Sequence, residues 1–203
     1  MKPLDLVLVG VGGQGILLAS DILCQVGMAS GYGVKKTDVH GMAQRGGSVV
    51  SHVRLADRVF SPMVAVGTAH FLLAFEKLEA CRSVHFLRQD GIAVVNDEAI
   101  PTLAALSASP RSKRAGGGPP YPEDSAILQA LEAHAGQVVL APAGQRAAEM
   151  GNPRVANVVL LGALSRFLEW PLQAWHEALE LRVPPSYREL NHRAFEAGRQ
   201  AIP

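Results

Sequence analysis

Residues 4–15 read Leu4-Asp5-Leu6-Val7-Leu8-Val9-Gly10-Val11-Gly12-Gly13-Gln14-Gly15. The first half of this stretch is a nearly continuous aliphatic run, which is typical of a strand buried on both faces of a sheet. Glycines end the run, and residues 16–28 then place apolar side chains at helical spacing. The order is therefore strand, glycine turn and helix, the first unit of an α/β fold.

Further strand and helix signals alternate along the chain. Short apolar or alternating runs predict strands at 33–39, 48–55, 69–75, 91–95 and 137–141. Helical spacing predicts helices at 125–135 and 157–167 and a charged amphipathic helix at 187–201. This order predicts a Rossmann-like three-layer α/β fold, with a mostly parallel sheet and helices on both faces, formed by one domain over residues 1–203.

One segment does not fit regular structure. Residues 107–124 are rich in proline and glycine and contain the basic run Arg111-Ser112-Lys113-Arg114. Such a composition predicts an exposed, flexible excursion from the domain. The basic run is by default a solvated loop, and contact with an acidic partner protein is the alternative.

Composition excludes several classes of function. The chain has 19 basic and 18 acidic residues, so it has no strong field to attract nucleic acid. No apolar stretch approaches the roughly 20 residues needed to cross a bilayer, and the N-terminus has no signal-peptide pattern. We therefore expect a soluble cytoplasmic protein without a nucleic-acid or membrane partner.

Metal chemistry is also not expected within this chain. Its two cysteines, Cys24 and Cys81, cannot supply the four thiolates of an iron-sulfur cluster. The seven histidines show no close pair or His/Cys group at the spacing of zinc ligands. No G-x-S-x-G elbow supports a hydrolase triad.

The glycine turn is the first candidate site. Gly10, Gly12, Gly13, Gln14 and Gly15 fit the pattern G-x-G-x-x-G between a strand and a helix, where unpaired N–H groups can bind a phosphate or another anion. The alternative is that the glycines only allow close packing. A dinucleotide would also need an acidic residue after the second strand, for which Asp38 is the candidate although it falls late.

The second candidate site is residues 40–48, His40-Gly41-Met42-Ala43-Gln44-Arg45-Gly46-Gly47-Ser48. Arg45 can form paired hydrogen bonds with a carboxylate or phosphate, Gln44 can orient a carbonyl, and His40 titrates near neutral pH. For Arg45 the alternative is an ordinary surface ion pair, and for His40 it is a bond to its own backbone.

Together, the glycine turn and the 40–48 segment resemble the gamma-type domain of 2-oxoacid:ferredoxin oxidoreductases. Pyruvate-type members usually carry Ser-Tyr-Gly-Pro-Glu-Met-Arg-Gly-Gly in this loop, so His40-Gly41-Met42-Ala43-Gln44-Arg45-Gly46-Gly47 is more similar to the indolepyruvate branch. The resemblance is strong over residues 4–75 and weaker over 91–97 and 152–167. The 107–124 segment is not part of it.

The resemblance implies a division of labour between two subunits. The large subunit would carry thiamine diphosphate, Mg²⁺ and the iron-sulfur clusters, and would pass electrons to ferredoxin while coenzyme A accepts the acyl group. This chain would be the small subunit, inactive alone, with His40, Gln44 and Arg45 contacting the 2-oxoacid or coenzyme A. A free-standing NAD or nucleotide binder and a purely structural subunit are the alternatives, and a homodimer of the isolated chain is left open.

Overall fold

The computed structural model describes residues 1–41, 47–100 and 121–202. Six strands form one sheet, with the order β2-β3-β1-β4-β5-β6. Their bounds are Leu4–Val11 (β1), Gly33–His40 (β2), Ser48–Ala56 (β3), Ala69–Ala74 (β4), Leu87–Asn96 (β5) and Gln137–Ala141 (β6).

The sheet is mostly parallel, as the sequence predicts. β4 pairs with β1 and with β5 in parallel, and β6 continues the same direction. β3 runs antiparallel to both of its neighbours, β1 and β2. A single reversed strand therefore joins β2 to the parallel set.

The helices of the described residues lie on both faces of the sheet. They are Ile16–Ala29 (α1), Lys77–Ser83 (α2), Asp124–Glu132 (α3), Ala143–Glu149 (α4), Ala156–Ser165 (α5), Leu172–Arg182 (α6) and Arg188–Gln200 (α7). None of them is long and apolar enough to span a membrane. The three-layer prediction is confirmed.

Alternate residues of β1 enter two separate cores. Leu6 and Leu8 pack with helix α1 and with the helices after residue 143, whereas Val7 and Val9 pack with α2 and α3. All four side chains are fully buried. Because successive strand residues point to opposite faces, an aliphatic run without polar interruptions is what a central strand between two helical layers requires.

Helices α5 and α7 cross with their backbones in contact. A Cβ atom added to Gly162 would lie 2.0 Å from the carbonyl oxygen of Phe195, and one added to Gly198 would lie 1.9 Å from that of Val159. Trp175 of α6 is fully buried and lies 5.4 Å from Phe195, measured between ring centroids. Trp175 is therefore part of the core between α6 and α7.

The predicted excursion at 107–124 falls outside the described residues over 107–120. Its last residues are described and are held in place: the Tyr121 hydroxyl donates to Glu76, and Asp124 begins α3 and pairs with Lys77.

Candidate functional site

The glycine turn lies at the point where the sheet changes its direction of winding. β1 is followed by α1 on one face, and the adjacent β4 is followed by α2 on the other face. In open α/β sheets, the carboxyl ends of two such strands flank the crevice where ligands bind. The turn between β1 and α1 is therefore where a Rossmann-like protein would place its ligand.

Here a side chain of the protein bridges the two strand ends. The Gln14 side-chain amide accepts from Val11 N at 2.7 Å and donates to the Phe75 carbonyl oxygen at 2.9 Å. The gap between β1 and β4 is thus bridged from within the chain. Gly10 is required beneath this bridge, because a Cβ atom there would lie 2.6 Å from Gln14 Oε1 and 2.8 Å from Phe75 Cβ.

Asn96 extends the bridge to the next strand. Its Nδ2 donates to the same Phe75 oxygen at 3.2 Å, and its Oδ1 accepts from Ala143 N and Gly144 N, both at 3.1 Å. Asn96 thereby joins β5 to the first turn of α4. The sequence interpretation did not identify this residue, since nothing at the end of β5 distinguishes a buried asparagine from a loop asparagine.

Replacing Gln14 by leucine is expected to lower the free energy of unfolding by about 2 kcal/mol, because Val11 N loses its hydrogen-bond partner. At this chain length the melting temperature should fall by roughly 4–8 °C. Gln173→Leu is the matched control, because Gln173 only contacts Glu177 at the surface. Equal melting temperatures for the two variants would contradict the bridging role.

Beside the bridge lies an open pocket of about 450 Å³. It is lined by Gly12, Gly13, Gly15, Ile16, Leu17, His40 and Val49. The glycine turn and His40, which the sequence indicates as two separate candidate sites, thus form one pocket. Gln44 and Arg45 lie outside the described residues, although His40, Gly47 and Ser48 on either side of them are described.

The pocket has backbone donors that are suited to an anion. Gly12 N donates to Gly47 O at 2.8 Å, and Gln14 N donates to Val11 O. Within the described part of the chain, the N–H groups of Gly13, Gly15 and residues 16–18 have no acceptor, whereas Ala19 N donates to Gly15 O. Such groups at the N-terminus of a 14-residue helix favour negative charge.

Gly15 has a second constraint. Its φ of 78° lies in the left-handed region, and a Cβ atom there would lie 2.5 Å from Asn157 Nδ2. Asn157 is buried in α5 and donates to the Gly15 carbonyl oxygen at 3.4 Å. Helix α5, which lies more than 140 residues later in the chain, therefore contacts and stabilises the turn.

Asp38, the candidate for a dinucleotide ribose, has other partners. It lies 3.2 Å from Lys36 Nζ and accepts a hydrogen bond from the buried Ser51. Lys36 also contacts Asp21 of α1 at 2.5 Å. Burial opposes charge on Lys36, but the hydrogen bonds with Asp21 and Asp38 outweigh it and raise the pKa of Lys36. Through Lys36, Asp38 is therefore part of an ion-pair group that joins β2 to α1.

Two histidines that are 16 residues apart in the sequence meet between helices α6 and α7. Nδ1 of His176 on α6 lies 2.6 Å from Nδ1 of His192 on α7, with the rings stacked. The sequence shows no close pair of histidines at zinc-ligand spacing, because these two are 16 residues apart and meet only through the packing of α6 against α7. Across residues 1–41, 47–100 and 121–202, no group of three or more His, Cys, Asp or Glu side chains could hold a metal ion.

The two thiols lie within the domain rather than in the pocket. Burial raises the pKa of Cys24 to about 12. The positive charge of Lys36 lowers this pKa, whereas the negative charges of Asp21 and Asp38 raise it. Burial and then Glu76 raise the pKa of Cys81. Since the thiolate is the reactive form, both cysteines should be unreactive in the folded chain.

At pH 8, only about one Cys24 in ten thousand would be a thiolate. We therefore expect iodoacetamide at pH 8 to leave the folded chain unmodified for hours and to alkylate both cysteines promptly in urea. Mass spectrometry measures the difference, and rapid alkylation of Cys24 in the folded chain would contradict its buried, protonated state.

The fold and site define an open α/β protein with a glycine turn at its switch point, a crevice bridged by its own glutamine, and a neighbouring anion-suited pocket. The chain belongs to the pyruvate ferredoxin/flavodoxin oxidoreductase family, whose model matches residues 5–201. The resemblance seen in the sequence is confirmed.

Its relatives include subunits of indolepyruvate oxidoreductases. The chain is 37% identical to indolepyruvate oxidoreductase subunit IorB of Pyrococcus horikoshii, over 99% of this chain and 96% of the relative. It is 35% identical to the subunit of the same name from Archaeoglobus fulgidus, over 98% of this chain and 96% of the relative. Among solved structures, pyruvate oxidoreductase subunit PORC of Thermotoga maritima has the same fold, with a TM-score of 0.72 at 20% identity over 100% and 98% of the two chains.

Proposed function

We propose that this chain is the small subunit of an indolepyruvate-type 2-oxoacid:ferredoxin oxidoreductase and acts only as part of that complex. The observation that carries the proposal is the similarity to indolepyruvate oxidoreductase subunits at 37% identity along nearly the whole of both chains. The segment His40-Gly41-Met42-Ala43-Gln44-Arg45-Gly46-Gly47 supports the aryl-pyruvate branch. The complex oxidatively decarboxylates the 2-oxoacid and yields an acyl-coenzyme A.

The cofactors of the reaction belong to the partner in this proposal. Two cysteines cannot bind an iron-sulfur cluster, and both thiols are held protonated by burial. Thiamine diphosphate, Mg²⁺ and the clusters are accordingly assigned to the large subunit, and ferredoxin to the assembled enzyme. The complex is expected in the cytoplasm, where thiols remain reduced. A homodimer of the isolated small subunit is a further expectation.

The pocket is the proposed contribution of this chain to the active site. His40 forms one wall, and Gln44 and Arg45 follow it in the sequence by four and five residues. Arg45 would pair with the 2-oxoacid carboxylate or a coenzyme A phosphate, Gln44 would orient a carbonyl, and His40 would supply a further polar contact.

The glycine turn is the proposed anion site of the same pocket. Within it, Gly10 makes room for the Gln14 bridge, and Gly12 and Gln14 fix the shape of the turn through Gly47 and Phe75. Gly13 and Gly15, with the first turn of α1, would contact the anion through their N–H groups. Binding energy would then come from backbone dipoles instead of a second cationic side chain.

The NAD-binding alternative is weaker on geometry. Gln14 bridges the ends of β1 and β4, between which a dinucleotide would lie, and Asp38 is paired with Lys36 and Ser51. If the chain were a purely structural subunit, the pocket would hold no ligand. Substitutions at Gln44 and Arg45 would then leave the activity of the complex unchanged, in contrast to our proposal.

Co-expression of this chain with the large subunit encoded in the same genome tests the proposal. Purification through a tag on this chain should yield a stable complex that reduces a viologen dye when indolepyruvate and coenzyme A are both present. NAD titrated into the isolated chain should give no measurable binding. A tagged chain that purifies alone and binds NAD tightly would replace the proposal with the nucleotide-binding alternative.

A further inference from the structure

The first turn of α2 carries two buried glutamates. Glu76 is 1% exposed and caps the helix by accepting from Glu79 N at 2.8 Å, and Glu79 is itself 3% exposed. Capping requires one side-chain oxygen, which a serine or asparagine can supply. A second buried carboxylate in the same turn costs desolvation unless its oxygens have strong partners.

Glu79 has such partners on both oxygens. The Ser48 hydroxyl donates to Oε2 at 2.5 Å, and the Arg82 guanidinium donates to Oε1. The bond from Ser48 crosses from α2 to the first residue of β3, and Ser48 pairs there with Val11 at the end of β1. Glu79 therefore holds β3 at the point where the glycine turn begins.

Ser48 lies between the two walls of the pocket. Its carbonyl oxygen accepts from Gly41 N at 3.3 Å, next to His40, and Gly47 before it accepts from Gly12 N at 2.8 Å. The following residue, Val49, lines the pocket directly. One residue thus connects the wall that contains His40 with the wall formed by the turn.

We infer that Glu79, acting through the Ser48 hydroxyl, is a positioning residue for the ligand of this pocket. It does not line the pocket. It fixes the separation of the two walls by a charge-assisted hydrogen bond from the exposed Ser48 hydroxyl to a buried carboxylate, and such bonds are stronger than those between neutral groups. The inference rests on the proposed function, since the ligand is taken to be the 2-oxoacid or coenzyme A.

Glu76 provides the matched control on the same helix. Its Oε1 accepts from the Tyr121 hydroxyl at 2.5 Å and from Ile100 N at 3.2 Å. The bonds from Tyr121 and from Ser48 are both hydroxyl-to-carboxylate bonds of 2.5 Å at the start of α2. Within the described residues, however, Tyr121 has no link to the walls of the pocket. Tyr121→Phe therefore shows the effect of loosening α2, whereas Ser48→Ala also releases the wall of the pocket.

The test uses the assembled complex with the variants Ser48→Ala, Ser48→Thr, Glu79→Gln and Tyr121→Phe. Ser48→Ala and Glu79→Gln should each raise the Michaelis constant for the 2-oxoacid or for coenzyme A about tenfold, with kcat within about twofold of wild type. The double variant should lose less than the sum of the two single losses, because both substitutions weaken the same bond between Ser48 and residue 79. Ser48→Thr, which keeps the hydroxyl, should restore the wild-type value.

Tyr121→Phe should lower the melting temperature as much as Ser48→Ala but leave both Michaelis constants unchanged. If Ser48→Ala and Tyr121→Phe behave alike in all kinetic constants, Glu79 is a structural residue and the inference fails while the proposed function stands. If the wild-type complex itself neither forms nor turns over 2-oxoacid, the proposed function fails and the inference with it.

Discussion

Gly198→Ala is expected to lower the free energy of unfolding by about 3 kcal/mol, and the melting temperature by roughly 6–12 °C. The added Cβ atom would lie 1.9 Å from the Val159 carbonyl oxygen and 2.7 Å from its carbon. Both are backbone atoms of α5, so no side-chain rotation can relieve the overlap. Helices α5 and α7 would have to separate, which would open the core around Trp175 and Phe195.

Thermal unfolding monitored by circular dichroism measures this effect. Gly144→Ala is the control, because a Cβ atom at that position of α4 meets nothing nearer than 3.5 Å. That variant should be neutral or more stable, since alanine is the better helix former. A Gly198→Ala chain that melts within a degree of wild type would show that α5 and α7 do not cross with their backbones in contact.

Arg45→Ala is expected to have the largest effect on catalysis. In the assembled complex it should raise the Michaelis constant for the 2-oxoacid or for coenzyme A by about 10- to 100-fold, the range expected when a charge-assisted hydrogen bond to an anion is lost. Arg45→Lys should recover part of the loss, because lysine keeps the charge but not the planar pair of donors. Steady-state kinetics with each substrate varied in turn measures both constants.

The control for Arg45 is Arg166→Ala, which removes an exposed arginine outside the pocket. It should leave both Michaelis constants at their wild-type values. The proposed role of Arg45 would be wrong if its alanine variant bound both substrates as the Arg166 variant does. A purely structural small subunit would give that result.

The sequence predicts the central unit of the fold well, because one physical constraint determines it. An aliphatic strand without polar interruptions must be covered on both faces, and glycines directly after it allow the sharp entry into α1. The mostly parallel sheet follows from the alternation of strands and helices. Helices α2, α4 and α6 were not predicted, and α2 in particular opens with charged residues whose burial depends on partners far away in the chain.

The candidate site is predictable only in part, for a similar reason. The glycine turn and His40 could be indicated separately, but their meeting depends on the pairing of β2 with β3 and β3 with β1. The internal role of Gln14 depends on Phe75, 61 residues later. A G-x-G-x-x-G pattern predicts the backbone path of the turn, but not whether its crevice accepts a dinucleotide or the protein's own amide.

In our proposal, this chain completes an active site that its partner cannot form alone. The most direct test is to purify the large subunit separately under anaerobic conditions and to measure indolepyruvate- and coenzyme A-dependent viologen reduction as this chain is added. We predict negligible activity at the start and a rise that saturates at one small subunit per large subunit. Full activity of the large subunit alone, unchanged by the addition, would contradict the account.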